Sequence, residues 1–410
     1  MPGGSQTTSK RPTLYALGQY PIYASRAKGS HVWDVDGNEY VDYVMALGPI
    51  TLGYCYPAVD EAVRAQLAKG VVYGLLAEVE VAAAEAVVAA VPCAEQVRFL
   101  KGGAEVTSAA ARIARAYTGR EKIANCGYRG WHDQWSAWRN DGGIPKALAS
   151  YTLTFGYNNL PSLEKVLDEN RSEVAAVCLD AFSTELPRPG FLEGVRDLAH
   201  AHGALLVFDE IVTGFRLALG GAQEYFGVTP DLACFAKGIA NGMPLGAVAG
   251  RREVMRTAER LIITATYGGE ALSLAAAVAT IEEYRAKDVL RHIWHLGQRL
   301  MDGLNEAARA VGAPFRCYGL APMSAMSFDA PTPEQSTLCW TYFLQEAAQR
   351  GVLFRRGGLN FVTYAHTDDD VATAVSVARE VFGELRHHLD ADDLRTVVAT
   401  SSPSEGIRRF

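Results

Sequence analysis

The chain has 410 residues, which is more than one small hydrophobic core requires, so two or three domains are expected. Hydrophobic residues make up 49% and charged residues 21%, as in ordinary globular proteins. The net charge of −7 argues against nucleic acid as a partner, because nucleic-acid binding depends on basic patches. No apolar run reaches the ~18–20 residues that a membrane span requires. The polar opening segment, residues 1–13, also lacks the apolar core of a secretory signal.

Seven cysteines are scattered along the chain, and none forms a CxxC pair. An odd number at irregular spacing fits neither a disulfide framework nor a zinc site. Buried free thiols in a reducing compartment explain the pattern better. The sequence therefore predicts a cytoplasmic protein without a bound metal.

In chain order, the first element that the sequence predicts is a β-hairpin in residues 31–43. Apolar residues alternate there around an Asp36-Gly37 turn. Apolar positions at helical spacing begin at Pro57, a residue suited to the first turn of a helix. The boundary between an N-terminal arm with its hairpin, residues 1–56, and a large domain is therefore placed before Pro57.

Short apolar runs then alternate with helical or polar segments through the large domain, residues 57–287. The five runs cover residues 97–100, 123–126, 174–179, 205–208 and 232–235. This alternation predicts an α/β domain with a mostly parallel sheet covered by helices.

The pattern changes from about residue 288. A long helical stretch is followed by strand-like segments and two further helices. Residues 288–392 are therefore predicted to form a smaller α+β domain. Residues 393–410 have weak periodicity and are predicted to be a loosely ordered tail.

The residues that follow the predicted strands are the first candidates for a site, because ligands bind at the carboxyl ends of strands in a doubly wound sheet. The first run is followed by Gly102-Gly103-Ala104 and a helix. Backbone N–H groups at such a turn can hold a phosphate, although a glycine pair is also an ordinary turn. The second run is followed by Tyr128, an aromatic ring that could stack on a flat ligand or cap the core.

The fourth run ends at Asp209-Glu210. Successive side chains of a strand point to opposite sides, so at most one of the two faces a given site. A carboxylate there could keep a pyridine nitrogen protonated. The fifth run is followed by Lys237, where burial of an ammonium would favour the neutral amine that Schiff-base chemistry requires. Taken alone, a lysine extending to the surface is equally compatible with this position.

Four long stretches resemble the class III (fold type I) aminotransferases, in particular the glutamate-1-semialdehyde aminomutase branch. They are HVWDVDGNEYVDYVMALGP, ARIARAYTGREKI, GALLVFDEIVTGFR and FGVTPDLACFAKGIANGMPLGA. The resemblance covers residues 27–386 and implies the fold type I architecture, an α/β large domain with a smaller α+β domain. It also implies pyridoxal 5′-phosphate (PLP) as cofactor and a homodimer with shared active sites, to which the arm 1–56 would contribute contacts.

The resemblance also implies roles for individual residues. Lys237 matches the Schiff-base lysine, and Asp209 matches the partner of the pyridine nitrogen. Tyr128 and Ile211 match the residues on the two faces of the cofactor ring. The lysine, once displaced by a substrate amine, would act as general acid and base between the substrate carbon and the cofactor.

Three further matches concern the cofactor phosphate. Gly103 and Ala104 match the phosphate-binding turn, although Gly102-Gly103-Ala104 stands where Ser-Gly-Thr is usual. Thr266 matches a threonine that binds the phosphate from the partner subunit. The implied homodimer rests on this last match.

Other departures concern the substrate. Arg129 stands where the family commonly has histidine, and Glu270 stands where asparagine is usual. The arginine with which the mutase holds the substrate carboxylate has only Arg11 as a loose counterpart. These differences argue against the mutase activity itself.

An aminosugar or aminocyclitol from a biosynthetic pathway is the substrate class that these departures favour. Trp131, Trp135 and Trp138 lie close to Tyr128 in sequence, and Asp133 and Glu270 add negative charge. Aromatic faces and carboxylates suit a cationic, hydroxylated ring. Trp131, Arg129 and Glu270 are therefore candidate substrate contacts, with packing at a dimer interface as the alternative for the tryptophans.

Two other functions remain open. One is a different outcome on the same cofactor, an aminomutase, epimerase or racemase, because the same lysine would move the proton in each reaction. The other is a protein that binds the cofactor without turnover. The presence of both Lys237 and Asp209 disfavours that second alternative.

Overall fold

The computed structural model describes residues 1–139 and 142–399. The described residues divide into two compact units, one formed by Pro57–Lys287 and the other by Met1–Tyr56 together with residues 288–399. Within the described ranges no helix is both long and apolar enough to cross a lipid bilayer.

The described residues form fourteen strands and thirteen α-helices. The strands are β1 (Ala24–Lys28), β2 (His31–Asp34), β3 (Glu39–Asp42), β4 (Gln96–Leu100), β5 (Lys122–Cys126), β6 (Thr152–Thr154), β7 (Val174–Leu179), β8 (Leu205–Asp209), β9 (Leu232–Phe235), β10 (Gly246–Gly250), β11 (Phe315–Leu320), β12 (Met323–Phe328), β13 (Val352–Leu353) and β14 (Leu359–Phe361). The helices are α1 (Pro57–Lys69), α2 (Glu78–Val88), α3 (Gly103–Thr118), α4 (Asp133–Ser136), α5 (Leu160–Glu169), α6 (Phe191–Ala201), α7 (Ala222–Phe226), α8 (Arg252–Met255), α9 (Ala271–Ala286), α10 (Val289–Val311), α11 (Pro333–Gln349), α12 (Asp368–Asp390) and α13 (Leu394–Val397).

The unit Pro57–Lys287 contains a seven-stranded sheet in the order β4-β10-β9-β8-β7-β5-β6. Strand β10 runs antiparallel to both of its neighbours, and the remaining pairs are parallel. The prediction of a mostly parallel sheet is therefore confirmed. All five predicted apolar runs are strands of this sheet, and all six residues of β7 are buried. The sequence prediction missed β6 and β10.

Helix α3 shows how the helices of this unit meet the sheet. Its buried residues include Val106, Ala110, Ile113 and Ala114, a spacing that places them on one face of the helix. The helix packs against β7, β9 and β10. Because β4 and β9 both run antiparallel to β10, β4 has the direction of the parallel strands, and α3, which follows β4, begins at the edge of the sheet where they end.

The second unit contains the predicted hairpin, in which β2 pairs antiparallel with β3 around Gly37, whose φ is 90°. Strand β13 extends this sheet, and β11, β12 and β14 form another. Stacked phenylalanine rings lie in the core of this unit, for example Phe343 and Phe382 with centroids 5.4 Å apart. Of the predicted tail 393–410, residues 400–410 lie outside the described residues. Within residues 393–399, Leu394–Val397 form the short helix α13, in which Leu394 is buried.

Candidate active site

Polar residues gather at the carboxyl ends of β7, β8 and β9 in the unit Pro57–Lys287. Leu179 on β7 pairs with Phe208 on β8, so the next residues, Asp180 and Asp209, end adjacent strands in the same register. Strand β9 lies on the other side of β8, and Lys237 follows it after one residue. The parallel pairing therefore brings two carboxylates and an amine to one edge of the sheet.

Asp209 is buried, with 6% of its surface exposed. Its Oδ1 accepts a hydrogen bond from the backbone N–H of Ile211 at 3.0 Å, and its Oδ2 accepts one from Nη1 of Arg129 at 2.8 Å. Glu210 instead accepts bonds from the backbone N–H groups of Ala222 and Gln223 at the start of α7. The two adjacent carboxylates thus lie in different surroundings, as the alternation of side chains along a strand predicts.

Arg129 is completely enclosed, with 2% of its surface exposed. Its Nη2 donates to Oδ2 of Asp180 at 2.8 Å, and its Nη1 donates to Asp209 and to the backbone carbonyl of Tyr128. Burial opposes the charged form of Arg129, but Asp180 and Asp209 outweigh it and raise the pKa of the guanidinium. Arg129 is therefore a permanent cation between two carboxylates. Its guanidinium is occupied by these partners and is not placed to contact a substrate.

Lys237 begins a short 3₁₀ turn directly after β9 and the buried residue Ala236. Its φ of 48° lies in the left-handed region, which is sterically unfavourable for any residue other than glycine. Such a conformation persists only where the surroundings impose it, and it is frequent at functional sites. Lys237 is half-buried.

The turn between β4 and α3 has the features of an anion site. The carboxylate of Glu105 accepts bonds from the backbone N–H groups of Lys101 and Gly102, at 2.8 and 3.1 Å. The N–H groups of Gly103 and Ala104 then follow in the first helical turn, where an α-helix offers them no internal acceptor. A helix N-terminus of this kind favours a phosphate.

Close packing around this turn depends on two glycines. A Cβ on Gly103 would come within 2.9 Å of Cδ1 of Ile211. A Cβ on Gly130, whose φ is 112°, would come within 2.6 Å of the Cβ of Ala104. Glycine at these two positions therefore allows Ile211 and the loop after β5 to pack directly against the start of α3.

Two predicted residues lie in the segment before α9. Thr266 is exposed in a turn. Glu270 caps α9 by accepting from the N–H groups of Leu272 and Ser273, and it forms an ion pair with Lys101 at 2.8 Å. Burial opposes its ionisation, but the hydrogen bonds from Lys101 and Ser273 prevail and lower the pKa of Glu270. The Glu270 carboxylate is thus occupied by the N-terminus of α9 and by Lys101.

The three tryptophans of the predicted substrate cluster do not share one environment. Trp131 is 73% exposed, whereas Trp135 is 2% exposed and lies in the hydrophobic core of its unit. Trp138 is 38% exposed. Tyr128 is half-buried two residues after β5. Of the cluster, Trp131 is the side chain with the largest accessible face.

Sequence reasoning missed Asp180 and Glu105. Asp180 follows the buried run 174–179, so the rule that selected Asp209 and Lys237 from the ends of strands would have selected it too. Glu105 is the third residue of α3, a position from which a glutamate commonly binds the N–H groups preceding its helix. Both signals are local and present in the sequence.

These residues fit a phosphorylated pyridine aldehyde. Lys237 supplies an amine, Asp209 a buried carboxylate for a cationic ring nitrogen, and the start of α3 a phosphate site. Within residues 1–139 and 142–399, no group of three or more histidine, cysteine, aspartate or glutamate residues is arranged to hold a metal ion. Fold and site together define a PLP-binding enzyme with the fold type I architecture.

The comparisons with known proteins give the family. The class-III aminotransferase family matches residues 15–377, and the chain belongs to this family. It is 39% identical to a glutamate-1-semialdehyde 2,1-aminomutase of Syntrophobacter fumaroxidans, over 90% of this chain and 92% of that protein. It is 34% identical to a 3-aminobutyryl-CoA aminotransferase of Cloacimonas acidaminovorans, over 95% of each.

Among solved structures, the FumI protein of Sphingopyxis sp. MTA144 in its PLP internal aldimine form superposes with a TM-score of 0.90. The two are 28% identical over 95% of each chain. The predicted family, fold class, cofactor and enzyme class are therefore confirmed. The protein is a PLP-dependent enzyme of the aminotransferase type.

Proposed function

We propose that this protein transfers an amino group from an amine donor to a keto or aldehyde acceptor, with Lys237 as the residue that holds PLP covalently. The position of Lys237 carries this proposal. It follows β9 beside the strand that ends in Asp209, and its left-handed backbone is the strained conformation found at functional sites.

The remaining cofactor contacts follow from the same edge of the sheet. Asp209 would hold the ring nitrogen in its protonated form, and the bound ring then supplies an electron sink for the substrate carbon. Tyr128 and Ile211 would enclose the two faces of the ring. The N–H groups of Gly103 and Ala104 would bind the phosphate.

Proton transfer is the second task of Lys237. Nζ, as a neutral amine, would accept the proton from the substrate carbon and would return it as a general acid. A positioned amine of this kind contributes about 10²–10⁴-fold to the rate as a general acid and base. Transamination then needs a second half-reaction in which the acceptor receives the amino group.

A second copy of the chain would complete the site. Thr266 is exposed in its turn, as expected of a residue that binds the phosphate in a partner subunit. Leu75 and Leu76 are 86% and 87% exposed. A groove of about 710 Å³ next to Leu75 is lined mainly by α1, α2 and α9. Large exposed apolar side chains beside a groove are typical of a subunit interface.

The structure gives unequal support to the proposed substrate contacts. Trp131 offers an exposed aromatic face, which could stack on an apolar or cationic part of a substrate. Glu270 and Arg129 are committed to Lys101 and to two carboxylates, respectively. The proposal of an aminosugar or aminocyclitol substrate is therefore supported by Trp131 only. The acidic contact expected from Glu270 does not support it.

A cytoplasmic location remains part of the proposal. All seven cysteines are free thiols, and six of them are buried. Unpaired cysteines are typical of a reducing compartment.

Trapping the cofactor tests the assignment of Lys237. Nζ would condense with the cofactor aldehyde, releasing water, and borohydride would reduce the resulting C=N bond to a stable amine. Peptide mass spectrometry is expected to locate the adduct on Lys237. A Lys237→Ala variant should carry no adduct, and the exposed ion-pair residue Lys165 provides the control Lys165→Ala. An adduct on another lysine of the native protein would refute the assignment.

An aminomutase is the second candidate, and the 39% identity to a glutamate-1-semialdehyde aminomutase favours it. In that reaction the product is an isomer of the substrate, and no separate donor or acceptor is consumed. Incubation with a ¹⁵N-labelled amine and an unlabelled acceptor distinguishes the two, because only transamination converts the acceptor to a labelled amine. Isomerisation of glutamate-1-semialdehyde with no added donor or acceptor would favour the mutase.

A further inference from the structure

Arg129 is held by carboxylates from two neighbouring strands. Nη1 donates to Oδ2 of Asp209 and Nη2 donates to Oδ2 of Asp180, both at 2.8 Å. The side chain of Arg129 is 1% exposed, that of Asp209 7% and that of Asp180 19%. Charges so far from solvent interact more strongly than surface charges, because little water screens them.

The charges of the three groups have a chemical consequence. Arg129 and Asp209 alone would form a neutral pair, and a neutral pair attracts a cationic ring nitrogen weakly. With Asp180 included, the group carries a net charge of −1. Asp209 can then act toward a ring nitrogen as an anion even though its Oδ2 is bound to a guanidinium.

The hydrogen bonds leave Asp209 able to perform this task. Each carboxylate oxygen can accept two hydrogen bonds. Oδ1 receives one from Ile211 and Oδ2 one from Arg129, so each retains acceptor capacity. Arg129 also donates to the carbonyls of Cys126 and Tyr128, which fixes its guanidinium on the loop after β5.

We propose that Asp180 is a positioning residue that offsets the charge of Arg129 and thereby preserves the negative charge that Asp209 presents to the cofactor ring nitrogen. The inference rests on the proposed role of Asp209. It assigns to the end of β7 a part in catalysis that acts entirely through Arg129.

Three net charges of the group are accessible in four proteins, the native one and three variants. The native group carries −1, Asp180→Asn gives 0, Arg129→Gln gives −2, and the double variant returns to −1. The ring nitrogen is expected to lose its proton at the lowest pH in Asp180→Asn. The midpoint falls in this variant because the group has lost one negative charge that favours the protonated ring. Arg129→Gln should shift the midpoint upward, and the double variant should lie near the native protein.

The experiment uses each full-length protein reconstituted with PLP labelled with ¹⁵N at the ring nitrogen. The ¹⁵N chemical shift is followed against pH, with circular dichroism as a check on folding. Asp180→Glu retains the charge and should retain the native midpoint. If Asp180→Asn binds no cofactor, restoration of binding by adding Arg129→Gln supports the proposal, and absence of restoration overturns it.

Two results separate this inference from the proposed function. If Asp209→Asn leaves the ¹⁵N titration unchanged, the assignment of Asp209 fails. If Asp209→Asn shifts the titration but Asp180→Asn does not, or if Asp180→Glu shifts it as much as Asp180→Asn, only the inference about Asp180 is overturned.

Discussion

At the scale of the single residue, the polar side chains near the sheet edge either face the expected ligand or hold the protein backbone. Asp209 accepts one backbone N–H and one guanidinium N–H, whereas Glu210 and Glu270 are occupied by the first turns of α7 and α9. A carboxylate that caps a helix is satisfied by fixed donors, so it is poorly placed to bind a substrate as well. This distinction follows from the hydrogen bonds and not from residue type.

Glu270 gives a prediction about stability. Glu270→Ala removes the α9 cap and leaves Lys101, which is 19% exposed, without its carboxylate. A loss of about 2–3 kcal/mol in the free energy of unfolding is expected. Glu270→Gln keeps a capping oxygen and should lose about 1 kcal/mol. Urea denaturation measures both values.

The difference in stability between the native protein and Glu270→Gln is expected to depend on pH. The folded-state pKa of Glu270 lies below its usual value of 4.5, so its ionised form stabilises the native state at higher pH. The advantage of the native protein over Glu270→Gln should be complete above about pH 5 and should disappear as the pH falls through the lowered folded-state pKa. A constant difference between the two proteins across acid pH would contradict this assignment.

At the scale of the element, the start of α3 depends on the loop that follows β5. Gly130 in that loop lies against Ala104, and Gly103 lies against Ile211. The proposed phosphate turn is thus bounded on one side by the side chain of Ile211 and on the other by Gly130. Its function depends on the contact between two elements rather than on the turn alone.

Gly130→Ala tests this contact, with Gly119→Ala at the end of α3 as the matched control. Both glycines have positive φ, at 112° and 69°, but a Cβ on Gly119 would meet nothing within 4 Å. The control should cost about 1 kcal/mol of stability through its backbone alone. Gly130→Ala should cost about 3 kcal/mol or more and weaken PLP binding, because Ala104 must move. Equal effects in thermal denaturation and in equilibrium dialysis with PLP would contradict the proposed contact.

At the scale of the whole molecule, the exposed apolar residues around the groove predict a dimer. Leu75→Asp combined with Leu76→Asp should convert the proposed dimer to monomers, because each charge would be buried at an apolar contact. PLP affinity should fall about tenfold or more if the partner subunit's Thr266 contributes to the phosphate site. Light scattering coupled to size-exclusion chromatography gives the mass, and equilibrium dialysis gives the affinity.

Leu186→Asp is the control for this experiment, since Leu186 is an exposed leucine outside the groove at 49%. It should leave both mass and affinity unchanged. A native protein that is monomeric at micromolar concentration, or a double variant that remains dimeric, would refute the interface.

The sequence alone determined the sheet of the unit Pro57–Lys287 to a large extent. Its buried parallel strands are continuous apolar runs such as 174–179, and these are recognisable without tertiary information. Strand β10 was missed because it reads Gly-Ala-Val-Ala-Gly, and β6 because it has three residues. The positions of Asp209 and Lys237 were predictable, since they follow such runs directly or after one residue, and long stretches around them resemble a known family.

Only the tertiary structure decided which partners these residues have. No local pattern indicates that Arg129 lies between Asp180 and Asp209, because the three are joined by the register of separate strands. Likewise, Trp135 and Glu270 could be assigned to a substrate from sequence, but packing placed one in the core and the other on a helix cap. Periodicity records which side of an element is buried, whereas the partner of a buried charge depends on contacts between residues far apart in the chain.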